Sequence, residues 1–154
     1  MSDKQDFSFM KTGFNLVQEK VNKQETMENI ASLVATFAQN ALQTSSIYVT
    51  HGKRSEVTPE DIKRAMMMEV FVFTKRPEIL EKVKQMREDL FKNEEESSDE
   101  ENEFICEDNQ EFKESECKCA LCNCLNTIKT KWIAWEPQND FEIIFKNNID
   151  KIPE

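Results

Sequence analysis

Glycine and proline are scarce in this chain, with two and four residues respectively in 154. So few turn-formers argue against a sandwich or barrel of many short strands. Histidine occurs once and tyrosine once. With one His, no Gly-rich phosphate loop and no paired acids at a catalytic spacing, nothing resembles a catalytic constellation, and no enzyme activity is expected. A basic N-terminal tail is missing, and the net charge is −10. No apolar run is long enough to span a membrane. The longest uncharged stretch, Asn29–Thr50, includes Asn29, Ser32, Thr36, Gln39, Asn40 and Gln43, which is too polar for lipid. Met1-Ser2-Asp3-Lys4 lacks the basic-then-apolar order of a signal peptide. Five cysteines, four of them within eight residues, suit a reducing compartment better than a disulfide scaffold, and an intracellular location is expected.

The charge is unevenly spread. Residues 93–116 hold twelve Asp and Glu against one Lys, whereas residues 1–92 and 117–154 are close to neutral. This divides the chain into a body at 1–92, an acidic linker at 93–116 and a tail at 117–154. The linker is too charged and too poor in apolar area to fold by itself, so disorder is expected there. It reads either as a solvating connection or as a dock for basic proteins.

Within the body the apolar spacing is helical throughout, which gives an all-α class. A short helix is expected over Thr12–Val21, then a polar loop at Asn22–Glu25, then a long helix from Thr26 to His51. Met27, Ile30, Val34, Phe37, Ala41 and Tyr48 share one stripe of that helix. At 1.5 Å per residue it spans roughly 39 Å. A helix so long and so free of charge in its middle needs cover from more than one side. Gly52 is the expected C-terminal stop. Thr58-Pro59-Glu60-Asp61 is a strong start signal, with a hydroxyl cap, Pro in the first turn and two acids beside it. A short helix carrying Ile62, Ala65, Met66 and Val70 follows. Pro77 opens another, with Ile79, Leu80, Val83, Met86 and Leu90 facing inward.

The order of short helix, long helix, loop and short helix resembles the histone fold. The run Tyr48-Val49-Thr50-His51-Gly52-Lys53-Arg54-Ser55-Glu56-Val57-Thr58-Pro59-Glu60-Asp61-Ile62 is similar to the end of the central helix and the second loop of archaeal histones. It is equally similar to arginine-rich core histones and to histone-like transcription-factor subunits, over about residues 12–70. The resemblance implies a module that pairs with another histone-fold protein, a heterodimer being favoured over a homodimer. Met27, Ile30, Val34, Phe37, Ala41, Tyr48 and Val57 would form the interface. It also implies a bidentate pair between Arg54 and Asp61, and DNA phosphate contacts at Lys53, Arg54 and Thr58. Ser55 and Glu56 depart from the strongest DNA binders of the family, and the near-neutral body weakens the case for wrapping DNA.

Two functions are therefore carried forward. One is a histone-fold subunit in DNA-associated transcription or genome packaging, in a nucleus or at a viral replication site. The other is an assembly or histone chaperone-like protein, or a structural protein of a large DNA virus, without direct DNA contact.

The tail holds Cys117-Lys118-Cys119-Ala120-Leu121-Cys122-Asn123-Cys124. CxC and CxxC spacing suits structural zinc held by Cys117, Cys119, Cys122 and Cys124. Four ligands within eight residues strain one chain, so Cys106 or a second chain stands as an alternative source, and inert packed thiols as the simpler reading. His51 is expected to pack near the interface or to cap its helix. Leu121, Leu125, Ile128 and Trp132, then Phe141, Ile144, Phe145, Ile149 and Ile152, give two amphipathic helices read as a small hairpin around the Glu136-Pro137 break. Trp132 and Trp135 fall in its core.

Overall fold

The computed structural model describes residues 8–92 and 111–153, with side chains of the first helix described from residue 23 onward. The regular elements are α1 (Ser8–His51), α2 (Pro59–Val72), a 3-10 turn (Phe73–Lys75), α3 (Ile79–Phe91), α4 (Ala120–Ala134) and α5 (Asp140–Asp150). The class is all-α, with no strand among the described residues. No described helix is long and apolar enough to cross a membrane.

One helix stands where the sequence suggested two. The polar run Asn22–Glu25 continues α1, which is 44 residues long, or roughly 66 Å. Lys, Gln and Glu are good helix formers, and neither Gly nor Pro interrupts the run. Lys23, Gln24 and Glu25 are exposed, so their polarity reflects solvent contact rather than a break.

The polar residues of the middle of α1 are handled locally. Ser32 donates its hydroxyl to the Glu28 carbonyl at 2.6 Å, and Thr36 to the Ser32 carbonyl at 2.7 Å. Asn40 donates to the buried Glu69 carboxylate of α2 at 3.0 Å, and Arg76 donates to its other oxygen at 2.8 Å. Burial pushes the Glu69 carboxyl above its ordinary pKa, with Asn40 and Arg76 opposing. These two donors make a buried carboxylate tolerable.

The expected pairing stripe splits in two. Phe37, Ala41 and Tyr48 are buried by this chain itself, whereas Met27, Ile30 and Val34 are 67%, 52% and 47% exposed, as is Val57 at 42%. The cover comes from the tail. Phe37 meets Phe145 of α5 at a centroid distance of 4.4 Å and Phe73 at 5.6 Å, and Phe73 stacks on Phe141. The main core joins Phe37, Met67, Val70, Phe73 and Ile79 to Ile128, Trp132 and Ile149. A second cluster joins Tyr48 to Cys122 and Leu125.

The tail is thus a layer of the fold, with α4 and α5 each lying against α2. The reason is apolar burial: Ile128, Trp132 and Ile149 join Phe37, Met67 and Val70 of α1 and α2 in one core, and Leu125 joins Tyr48 in another. Order also begins earlier than the expected boundary near Cys117. Phe112 and Ser115 pack inward, while residues 93–110 of the acidic linker, and Cys106 with them, lie outside the described residues. On α3 only Ile79 is fully buried, and Leu80 and Leu90 face outward, contrary to their expected place.

Because Phe37 is sealed within its own chain, Phe37→Ala should lower unfolding free energy by about 3–5 kcal/mol. Val34→Ala, three residues away but exposed, should stay within about 0.5 kcal/mol. Urea titration of the two variants checks the difference; equal losses would contradict this division of the stripe.

Candidate metal centre and the adjoining loop

The end of α1 is built by a Schellman turn. Lys53 N–H bonds to the Thr50 carbonyl at 3.1 Å and Arg54 N–H to the Val49 carbonyl at 3.0 Å. The left-handed residue is Lys53, with φ 56°, and the glycine beside it has no positive φ. A non-glycine here costs on the order of 1 kcal/mol. The turn aims Arg54 back at α2.

Arg54 donates to both oxygens of Asp61, at 2.8 and 2.5 Å. The Thr58 N–H and hydroxyl donate to Asp61 Oδ2 at 2.8 and 2.7 Å, while the Asp61 N–H returns a bond to the Thr58 hydroxyl, closing a capping box. Burial alone would raise the Asp61 pKa. The bonds from Arg54 and Thr58 outweigh it and hold the carboxyl below its ordinary value. Of the three residues expected at DNA, Thr58 is buried and Arg54 is engaged with Asp61; Lys53 is exposed.

A strap of residues 111–118 runs past this loop. Phe112 lies 4.4 Å from the Arg64 guanidinium and 5.5 Å from that of Arg54, a double cation–π contact. Glu114 pairs with Arg64 at 3.3 Å. The Ser115 N–H reaches the Tyr48 hydroxyl at 3.3 Å, and that hydroxyl donates to Asn126 of α4. Arg64 also donates to the carbonyls of Leu125 and Asn126. A cleft of about 650 Å³ beside the strap is lined by Lys53, Arg54, Lys113, Glu114 and Glu116, with His51 and Cys117 at its edge.

At that edge three thiols and an imidazole converge. His51 Nδ1 is 3.3 Å from Cys119 Sγ, 3.5 Å from Cys122 Sγ and 3.8 Å from Cys117 Sγ. All four atoms lie within 4.8 Å of one another, and the group could hold a metal ion. Each ligand arrives by a separate local rule. His51 is the last residue of α1, Cys117 sits on the extended strap, Cys119 is the N-cap of α4, and Cys122 is in its first turn. Cys119 caps α4 through its sulfur, which accepts the Cys122 N–H at 3.4 Å. That bond, with the Cys122 thiol, His51 and Cys117, lowers the Cys119 pKa to about 6, against ordinary desolvation. Cys122 is buried, and burial pushes its thiol up to about 11.

The ligand set differs from the expected one at a single place. Cys124 stands apart and packs against the main core, with His51 as the fourth donor in its stead. Two residues apart on a helix means side chains about 200° apart, so Cys122 and Cys124 cannot face one ion. His51 was out of reach of spacing arguments because it lies on another helix, far back in the sequence.

Compared with family models, with curated proteins and with solved structures, the chain matches none.

Arg54→Ala leaves Asp61 buried without its main partner and should cost about 2–4 kcal/mol near neutral pH. Since the folded Asp61 pKa is depressed, its contribution is complete above the unfolded value of about 3.9 and disappears as pH falls through the folded value. Thermal melts from about pH 7 to pH 2 should therefore show the variant and wild type converging in acid. A gap that stays constant, or is absent at neutral pH, would rule out this role for the pair.

Proposed function

We propose that this chain is a non-enzymatic interaction subunit with a histone-fold core, whose partner is another histone-fold protein, and that a structural zinc ion occupies His51, Cys117, Cys119 and Cys122. The observation carrying the pairing reading is the uncovered part of the α1 stripe. Met27, Ile30 and Val34 are exposed at successive helical turns, and beside them runs an apolar groove of about 480 Å³ between α1 and α5, lined by Phe141, Ile144 and Phe145. A continuous apolar surface of this kind marks a protein contact rather than a solvated face. The resemblance over residues 12–70 names the class of partner, and with it a place in DNA-associated transcription or genome packaging.

A second reading, an assembly or chaperone-like protein without direct DNA contact, is favoured by one feature. Glu114 and Glu116 share the cleft with Lys53 and Arg54, so carboxylates stand where a phosphate backbone would have to approach. Salt dependence separates the two. A subunit that touches DNA through Lys53 alone should lose little affinity between low and high salt, because the slope follows the number of phosphates neutralised. Steep salt dependence, reduced by Lys53→Ala, would restore the DNA reading.

The pairing reading predicts that Val34→Glu keeps the helical circular dichroism of the wild type but abolishes its association with the native partner. Sedimentation of each variant with material captured from the native source measures this. Unchanged association would remove the α1 stripe from the interface.

Support for zinc comes from the donor set. Zn–S bonds of about 2.3 Å in a tetrahedron place ligand atoms about 3.5–3.8 Å apart, the spacing that His51 Nδ1 already keeps with Cys119, Cys122 and Cys117 to within a few tenths of an ångström. Four protein donors leave no open position, which marks a structural rather than a catalytic ion. Protein prepared without chelator should carry about one zinc per chain, retained in Cys124→Ser and lost in Cys119→Ser. Retention of zinc in Cys119→Ser, or its loss in Cys124→Ser, would contradict this ligand set.

A further inference from the structure

We infer that the metal centre is a clasp: its occupancy sets how firmly α4 and α5 cover the aromatic face of α1 and α2. This rests on the zinc reading above and adds a consequence for the whole tail. The four ligands join two segments that are distant in sequence, the C-terminal end of α1 and the stretch from the strap into the first turn of α4. A metal bridging residue 51 to residues 117–122 closes a long loop, and like any cross-link it removes open conformations from the chain. The tail is also held by apolar burial and by Arg64, which bonds to the Leu125 and Asn126 carbonyls, so the metal adds to a cover that is already attached. The intervening residues 93–116, with twelve carboxylates and one lysine, add mainly charge.

From α4 the constraint passes to α5 through named contacts. The Trp132 indole N–H donates to Asp150 at 2.7 Å, and Lys146 donates to the Trp132 carbonyl at 2.8 Å while lying 4.6 Å from the Trp132 ring. These bonds set α5 against the core, where Phe145 covers Phe37 and Phe141 covers Phe73. With α4 released at its metal-bound end, Trp132 loses its fixed position against Phe71, and the register of α5 is lost with it. The surface then uncovered holds Phe37, Val70 and Phe73, adjacent to the Met27–Val34 stripe that is already exposed. Metal loss therefore enlarges the exposed apolar face.

The test uses the full chain, stripped of metal with a strong chelator and then reloaded with zinc. Hydrogen exchange is read on Asp140–Asp150, a helix that contributes no ligand. Exchange in α5 should rise at least tenfold on stripping, binding of an apolar dye should increase over that of the zinc-loaded chain, and both should revert with zinc, while the far-UV signal of α1 to α3 persists. His51→Ala should behave as the stripped protein without any chelator, and His51→Cys should recover the zinc-dependent state. A chain that binds and releases one zinc while α5 exchange and dye binding stay constant overturns the clasp but leaves the zinc site standing. A chain that takes up no zinc on reloading overturns both.

Discussion

The middle of α1 carries no charge from residue 29 to residue 50, yet it belongs to a helix far too long to be enclosed by one neighbour. Covering it is the constraint from which the other elements take their places. On one side α2 and α3 pack against it, and Glu69 reaches across to Asn40. On another, Phe145 of α5 closes over Phe37, and the strap with α4 closes over Tyr48. Towards the N-terminal end the cover runs out, leaving Met27, Ile30 and Val34 in solvent. Buried apolar side chains are worth about 1.5–3 kcal/mol each, so a stripe left open is a standing incentive for association.

Local chemistry was readable in advance where it depends on a few neighbouring residues. Thr58, Pro59 and Asp61 announce a helix start because capping uses only atoms within one turn, and the capping box forms there. Three of the four residues that could hold a metal ion, Cys117, Cys119 and Cys122, are legible from spacing for the same reason. Cys124 falls outside the group because the CxC pattern says nothing of the helix it sits on: once Ala120 begins α4, positions 122 and 124 diverge. Helical phase is the signal that separates them.

What was not readable is what depends on the packing of distant segments. His51 offers no spacing clue, since its partners lie more than sixty residues onward. Phe37 and Tyr48 had the pattern of an intermolecular stripe, and periodicity says which face is apolar without saying whose atoms cover it. Lys63, Arg64 and Glu69 look like the solvated side of α2, yet all three are buried, Lys63 and Arg64 against the tail and Glu69 against Asn40 of α1 and Arg76. Arg64 is satisfied there by Glu60, Glu114 and two carbonyls, a set assembled from three parts of the chain. The polar run at residues 22–25 misled in the opposite direction, because hydrophilic residues on a protruding helix resemble a loop until backbone propensity is counted.

The order in which the parts of the core occur along the chain has a consequence for synthesis. Phe37 and Phe73 precede their covers, Phe145 and Phe141, by a long interval, and the clustered thiols Cys117, Cys119 and Cys122 come late as well. At translation rates of about 5–20 residues per second, α1 to α3 stand outside the ribosome for several seconds with their aromatic face bare. The nascent chain thus passes through an uncovered form before it can close, and whatever recognises that face meets it first during translation.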